Sequence, residues 1–444
     1  MIQKGEQYTV TAGGYASDGA AVARVDGMAV FVKGAIRGET CRIRIEHVGH
    51  RAAWAGITEL TAPSPHRIRP DCPHYPLCGG CQTRHMDYEE ELFFKKAKVE
   101  DALRRIGGLE LAVSAIHGGT PDGYRNKVQF PVGSGPAVGF YEGRSHRVVD
   151  VSRCALQPDW ANALADALRR WMADNSVPAY DEKSRKGLIR HLFARGNSRG
   201  ECVAAVVANG SSLPHRDALV EALRAAAPGL RGVVLNENRR DTNVVLGDKF
   251  HLLWGTDTLL DPLRGLTFRL SIPSFYQVNH DQAEVLYGLA ADFAALTGRE
   301  RLLDLYCGTG TIGLTMAGRC KALLGAEIVP QAVADAKENT SRNGITNARF
   351  VCSDASEVAA RLAAEGGAVD VAIVDPPRKG LAPQVVESLL KIAPGRIVYV
   401  SCDPATLARD LKLLAPSYTP LRAECVDMFP RTAHIETVVK LERK

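Results

Sequence analysis

Apolar and polar residues alternate along the N-terminal segments QYTVTA, AVARVDGMAVFV and ETCRIRIEHV, with Asp26-Gly27 as a tight-turn signal inside the second. This period of two predicts a small antiparallel, OB-like barrel over 1–62. The pattern then breaks into a stretch rich in Pro, His and Cys. After it, YEEELFFKKAKVEDALRRI carries apolar residues at helical spacing, acids early and bases late, as the helix dipole favours. One long amphipathic helix over 87–107 is expected there. Strands then mix with the helical segment DWANALADALRRWMAD, and 63–270 reads as a central α/β domain.

From about residue 300 the rhythm changes again. RLLDLYCGTGTIGLTMAG reads as strand, Gly-rich turn and helix; ALLGAEIV is a strand followed by the helical PQAVADAKENTSRNG; ARFVCSDA, VDVAIVDPP and RIVYVSCDP are further strands. This βαβ alternation predicts a Rossmann-like, doubly wound sheet over 271–444, within a multi-domain α+β chain. Asp304, Glu327, Asp354, Asp375 and Cys402 end these strands at intervals of about one strand-helix repeat. They therefore share the carboxyl edge of the sheet, where ligands of such sheets bind. Gly308 and Gly310 let the backbone approach a ligand, and Glu327 is placed for the hydroxyls of a ribose. The turn is GTG, not GxGxxG, and Asp304 opening it suits a cationic sulfonium ligand better than a pyrophosphate. A methyltransferase is favoured over a dehydrogenase, and both over a purely structural sheet.

Composition narrows the class. The chain has 444 residues, 45% of them apolar and 24% charged, enough for two or three soluble domains. MIQKGEQYTV lacks the features of a secretory signal, and no apolar run approaches the ~18 residues of a membrane span. A cytoplasmic protein without membrane attachment is expected, and its eleven cysteines then point to metal ligation or catalysis before disulfides. A net charge of +5 fits a polyanionic partner. Arg37, Arg42, Arg44 and Arg51 lie on or beside the barrel strands. Lys183, Arg185, Lys186, Arg190, Arg195 and Arg199 form a run without an acid, read either as a phosphate-binding strip or as a solvated face.

Two candidates carry chemistry. Cys402 in VSCDPATLARD ends a strand just before a helix start, where a thiol can be activated. Cys307, in the cofactor turn, is its weaker rival, while Cys41, Cys202, Cys320, Cys352 and Cys425 read as small buried hydrophobes. In MFPRTAHIETVVKLER, His434 and Glu436 fall on one face by alternation. Either could take a proton, and spacing does not separate them.

FYQVN (275–279), DLYCGTG, VDPPRKG, YVSCDPATLARD and MFPRTAHIE together resemble the RNA uracil-5-methyltransferases, above all the bacterial enzymes acting on large-subunit ribosomal RNA, across essentially the whole chain. The resemblance implies a TRAM-type RNA-binding barrel, an iron-sulfur region and an S-adenosylmethionine-dependent catalytic domain, working as a monomer on RNA, with 23S rRNA favoured and tRNA second. It implies Cys402 as the nucleophile that adds to uracil carbon 6 and Glu436 as the base. Gln277, Tyr306, Glu327, Asp354 and Asp375 match cofactor positions; Thr311 stands where some relatives have Asn, and the second proline of DPPRKG where some have Ala. Cys72, Cys78, Cys81 and Cys154 match the ligands of a [4Fe-4S] cluster; the residues alone leave iron-sulfur and zinc open. Two other classes remain. An exocyclic-amine methyltransferase, suggested by DPP, would want an aromatic where Arg378 stands, and an RNA-binding protein without catalysis would make Cys402 and Glu436 incidental.

Overall fold

A computed structural model describes residues 2–444. The N-terminal strands are β1 (Gln7–Thr11), β2 (Gly14–Tyr15), β3 (Ala21–Val25), β4 (Met28–Lys33), β5 (Thr40–Val48) and β6 (Ala52–Ala62), in the order β1-β5-β6-β4-β3-β2. Alternate residues such as Val30, Val32, Ile43 and Ile45 fill a separate core, the expected consequence of the period-two pattern. Asp26 and Gly27 both take positive φ (46° and 79°) in the β3–β4 turn, matching the primed hairpin turns that such a pair favours. The sheet is not wholly antiparallel: β6 returns between β5 and β4 and pairs parallel with β4.

Helix α1 (Tyr88–Ala102) begins at Asp87, which caps Glu90 N, and continues into a wider π turn (Leu103–Gly107) before Gly108 stops it at φ 65°. It packs against β7 (Val113–His117) and, from late in the chain, the helix Pro404–Leu414. The central sheet comprises β8 (Lys127–Gly133), β9 (Ala137–Tyr141), β10 (Val148–Asp150), β11 (Ile189–Gly196), β12 (Cys202–Ala208), β13 (Leu230–Glu237) and β14 (Lys249–Gly255), with α2 (Asp159–Asp174) and α3 (Arg216–Ala226) over one face. The hairpin β15 (Thr258–Leu263) and β16 (Leu266–Ser271) leads to α4 (His280–Ala294).

The last region runs β17 (Arg301–Leu305), α5 (Thr311–Ala317), β18 (Ala322–Glu327), α6 (Pro330–Arg342), β19 (Ala348–Cys352), α7 (Ala355–Glu365), β20 (Val371–Val374), α8 (Pro383–Ile392), β21 (Arg396–Ser401), α9 (Pro404–Leu414), β22 (Tyr418–Val426) and β23 (Glu436–Arg443). Its sheet order is β19-β18-β17-β20-β21-β23-β22-β7. Successive residues of one strand enter opposite cores, Leu302 and Ile373 on one side, Leu303 and Val374 on the other, so these strands read as continuous apolar runs. The chain order reverses between β17 and β20, which opens a ligand crevice at their carboxyl ends.

Two boundaries differ from the sequence reading. β7, inside 63–270, pairs with β22 and completes the C-terminal sheet; its five residues are too short a signal to place. The β15–β16 hairpin shares the core of the last domain through Leu259, Leu263, Phe268 and Leu270, so that domain starts before 271. Among the described residues no helix is long and apolar enough to cross a membrane.

Candidate active site

The crevice is built on buried acids. Asp304, at the end of β17, is fully buried; its Oδ2 accepts from Gly313 N at 3.0 Å while Oδ1 has no partner. Burial pushes its carboxyl up to about 8, and Asp375 and Glu327 add to this. Glu327 accepts from Gly308 N (3.1 Å) and Val329 N (2.9 Å) and so ties the β18 end to the Gly-rich turn. That turn is tight. Tyr306 takes φ 66°, and a Cβ on Gly310 would stand 2.8 Å from the Phe350 ring. Gln277 is buried in the chain entering α4, and the Tyr287 hydroxyl of α4 lies 3.1 Å from that of Thr311 beside the turn. Asp354, at the end of β19, also caps α7: its carboxylate accepts from Ser356 N at 2.8 Å.

Cys402 and Glu436 stand beside this crevice. β23 runs antiparallel to β21, with Thr437 opposite Ser401. That return brings Glu436, distant in sequence, next to Cys402. Burial, and then Glu436 and Asp375, push the Cys402 thiol up to about 11, with Arg378 opposing them. Glu436 is 4% exposed, and burial and Asp375 hold its carboxyl well above the usual range, again against Arg378. Burial alone brings Asp375 to about 7. A guanidinium nitrogen of Arg378 sits 3.4 Å from both ring nitrogens of His434, whose own pKa burial lowers to about 4. A thiol and a carboxylate thus adjoin under one exposed cation, with a neutral imidazole at the rim.

The expected activation of Cys402 by a helix start is not what the structure provides. Asp403 occupies the N-cap of α9 and accepts from Ala405 N and Thr406 N at 3.0 Å. Those amides serve Asp403, so the cation that favours a thiolate is Arg378.

The family described as tRNA (Uracil-5-)-methyltransferase matches residues 255–444, beginning close to the structural start of the last domain. An uncharacterized RNA methyltransferase of Halalkalibacterium halodurans is 40% identical, covering 100% of this chain and 98% of that protein. Another, of Caldanaerobacter subterraneus subsp. tengcongensis, is 41% identical over 100% of this chain and 99% of its own. The chain belongs to the RNA uracil-5-methyltransferase family. Among solved structures, the Pyrococcus abyssi tRNA (uracil-54, C5)-methyltransferase in complex with S-adenosyl-L-homocysteine is similar with a TM-score of 0.79 at 26% identity, covering 98% of this chain and 99% of that one. S-adenosylmethionine is accordingly the methyl donor of this methyltransferase.

Away from the crevice, the methyltransferase brings Cys72, Cys78, Cys81 and Cys154 to one cavity of about 300 Å³, which Arg84, Arg125 and Lys127 also line. Among the described residues no three metal-binding side chains converge closely enough for a single ion; the four thiols surround a space instead.

Several basic residues have other duties. Arg190 donates to Asn238 O and Arg240 O (3.0 and 2.7 Å), and Arg195 to Ser271 O and the Ser274 hydroxyl (both 2.9 Å), all inside the protein. Facing the core of an eight-residue buried strand, they leave the proposed strip to Lys183, Arg185, Lys186 and Arg199. Arg37 pairs with Glu90 at 3.1 Å and fastens the barrel to α1. Cys352 is exposed, not buried. Arg378 is the site residue that sequence reasoning missed; the signal was there, a cation just beyond the prolines of a strand-end loop.

Proposed function

We propose that this methyltransferase acts through a covalent adduct between Cys402 and the target uracil, with Glu436 as general base. The observation that carries this is the β21–β23 return, which sets thiol and carboxylate side by side at the mouth of the crevice. Carbon 5 of uracil is a poor nucleophile. Addition of the Cys402 thiolate at carbon 6 places electron density on carbon 5. S-adenosylmethionine, when bound, supplies a methyl group made electrophilic by its sulfonium. Glu327 is the acid placed for this ligand, Asp304 braces the turn beneath it through Gly313 N, and Gln277, Tyr306, Asp354 and Asp375 are the other expected contacts. Once carbon 5 carries both methyl and hydrogen, Glu436 removes the proton, the C5–C6 double bond re-forms and the Cys402 thiolate leaves. Arg378 favours the ionised form of both groups.

The four-thiol cavity fits a [4Fe-4S] cluster held by Cys72, Cys78, Cys81 and Cys154. Four thiolates meet that cluster's ligand demand, and Arg84, Arg125 and Lys127 offset its negative charge. Its role is structural, joining the 72–81 turns to the central sheet, with no redox step.

A uridine of 23S rRNA is the first substrate reading, supported by the motif resemblance. Transfer RNA is the second, favoured by the likeness of the entire chain to a tRNA enzyme; barrel and central domain therefore do not discriminate. Mapping 5-methyluridine in both RNAs from a strain lacking the gene decides between them. For the mechanism, Glu436→Gln should form a slow band carrying RNA and methyl on a denaturing gel, and Cys402→Ala should form none. A trapped band with His434→Gln and not with Glu436→Gln would move the base to His434.

A further inference from the structure

Residues 427–435 carry the chain from β22 to His434 and Glu436 without regular pairing, yet most are buried. Their backbone groups need partners; some are met within the segment, and many of the rest by residues 82–124. Lys95, fully buried on α1, donates to Asp427 (2.7 Å), to Glu91 (2.7 Å) and to Phe429 O (3.1 Å). Glu91 accepts from Arg431 N at 2.6 Å, and Tyr88 donates to Asp427 at 2.9 Å. Tyr124 donates to Pro430 O (3.0 Å) and Lys98 to Ala433 O (2.8 Å). Gln82 closes the set: its backbone N donates to Arg431 O at 2.9 Å, and its side-chain oxygen accepts from Ala433 N at 3.3 Å. The same carboxamide donates to Gly79 O at 3.0 Å, inside the turn between Cys78 and Cys81.

We infer that Gln82 and Lys95 are positioning residues for Glu436, fixing the segment that delivers the base and thereby governing proton removal after methylation. The inference rests on the covalent reading above. Neither residue touches the reacting atoms. Their effect should therefore fall on breakdown of the adduct and spare its formation, a signature that general loss of folding would not give. Through the backbone and side chain of Gln82 the four-thiol turn and the base segment are also joined, so the turn's conformation reaches the chemistry.

The test is single-turnover methylation by the full-length protein with RNA and S-adenosylmethionine, followed on denaturing gels. Gln82→Ala, at a half-buried position, should form the adduct at the wild-type rate and release product about tenfold more slowly, the scale of one lost hydrogen bond. Gln82→Glu, which keeps the acceptor for Ala433 N, should restore most of the release rate. Lys95→Met should accumulate the same adduct; if it does not fold, the Gln82 pair decides alone. Adduct formation and release slowing together, or release unchanged in Gln82→Ala, overturns the inference while Glu436→Gln still traps. Failure of Glu436→Gln to trap overturns the covalent reading and this inference with it.

Discussion

Replacing Arg378 by Gln should displace the pH dependence of methylation without changing its height. Arg378 is the one cation that opposes burial, Glu436 and Asp375 at Cys402, and it opposes burial and Asp375 at Glu436. A nearby opposite charge shifts a pKa by roughly one to three units. Because the guanidinium is exposed, solvent screening places its effect at the low end, about one unit, which is about 1.4 kcal/mol or tenfold in thiolate fraction. The sign follows from the reacting forms. In the proposed mechanism Cys402 and Glu436 act deprotonated, and both are raised, so the wild-type rate should climb as pH rises from neutral towards the Cys402 value of about 11. In Arg378→Gln the same limb should lie about one unit higher. The assay is single-turnover methylation with saturating RNA and cofactor between pH 6.5 and 9.5. At pH 7.5 the variant should be about tenfold slower, and raising the pH by about one unit should recover the loss. A deficit of constant size at every pH would refute the electrostatic account and assign Arg378 to substrate binding.

Glu327→Ala should weaken S-adenosylmethionine binding by about 1.5–3 kcal/mol, one to two decades, with RNA affinity nearly unchanged in a filter-binding assay. Lys95→Met removes the cation that buried Glu91 and Asp427 share, leaving Glu91 only Arg431 at 3.5 Å, and should cost about 3–5 kcal/mol, read as a lowered thermal midpoint. Neutralising Lys183, Lys186 and Arg199 together should flatten the salt dependence of RNA binding; an unchanged slope returns this run to a solvated face. Anaerobically purified protein should hold about four irons per chain, and stoichiometric zinc without iron would remove the cluster.

The local periods of the chain determined much of this protein unaided: the alternation that makes the barrel, the βαβ series, the acids closing successive strands and the placing of Cys402 at the last of them. Each depends only on near neighbours along the chain, and a strand end shows as a polar residue after an apolar run. The motifs naming the family are local in the same way. Tertiary structure decided what depends on distant partners. Arg190 and Arg195 belong to a basic run in sequence, yet the strand carrying them is buried on both faces and their charges meet carbonyls. The helix cap that Asp354 supplies to α7 also showed only in the fold. β7 joined the catalytic sheet from far upstream, and the antiparallel return of β23 set Glu436 beside Cys402. Protonation lay furthest from the sequence: the Cys402 thiol is raised by burial and then by Glu436 and Asp375, and the Glu436 carboxyl by burial and then by Asp375, quantities defined only once the strands have met.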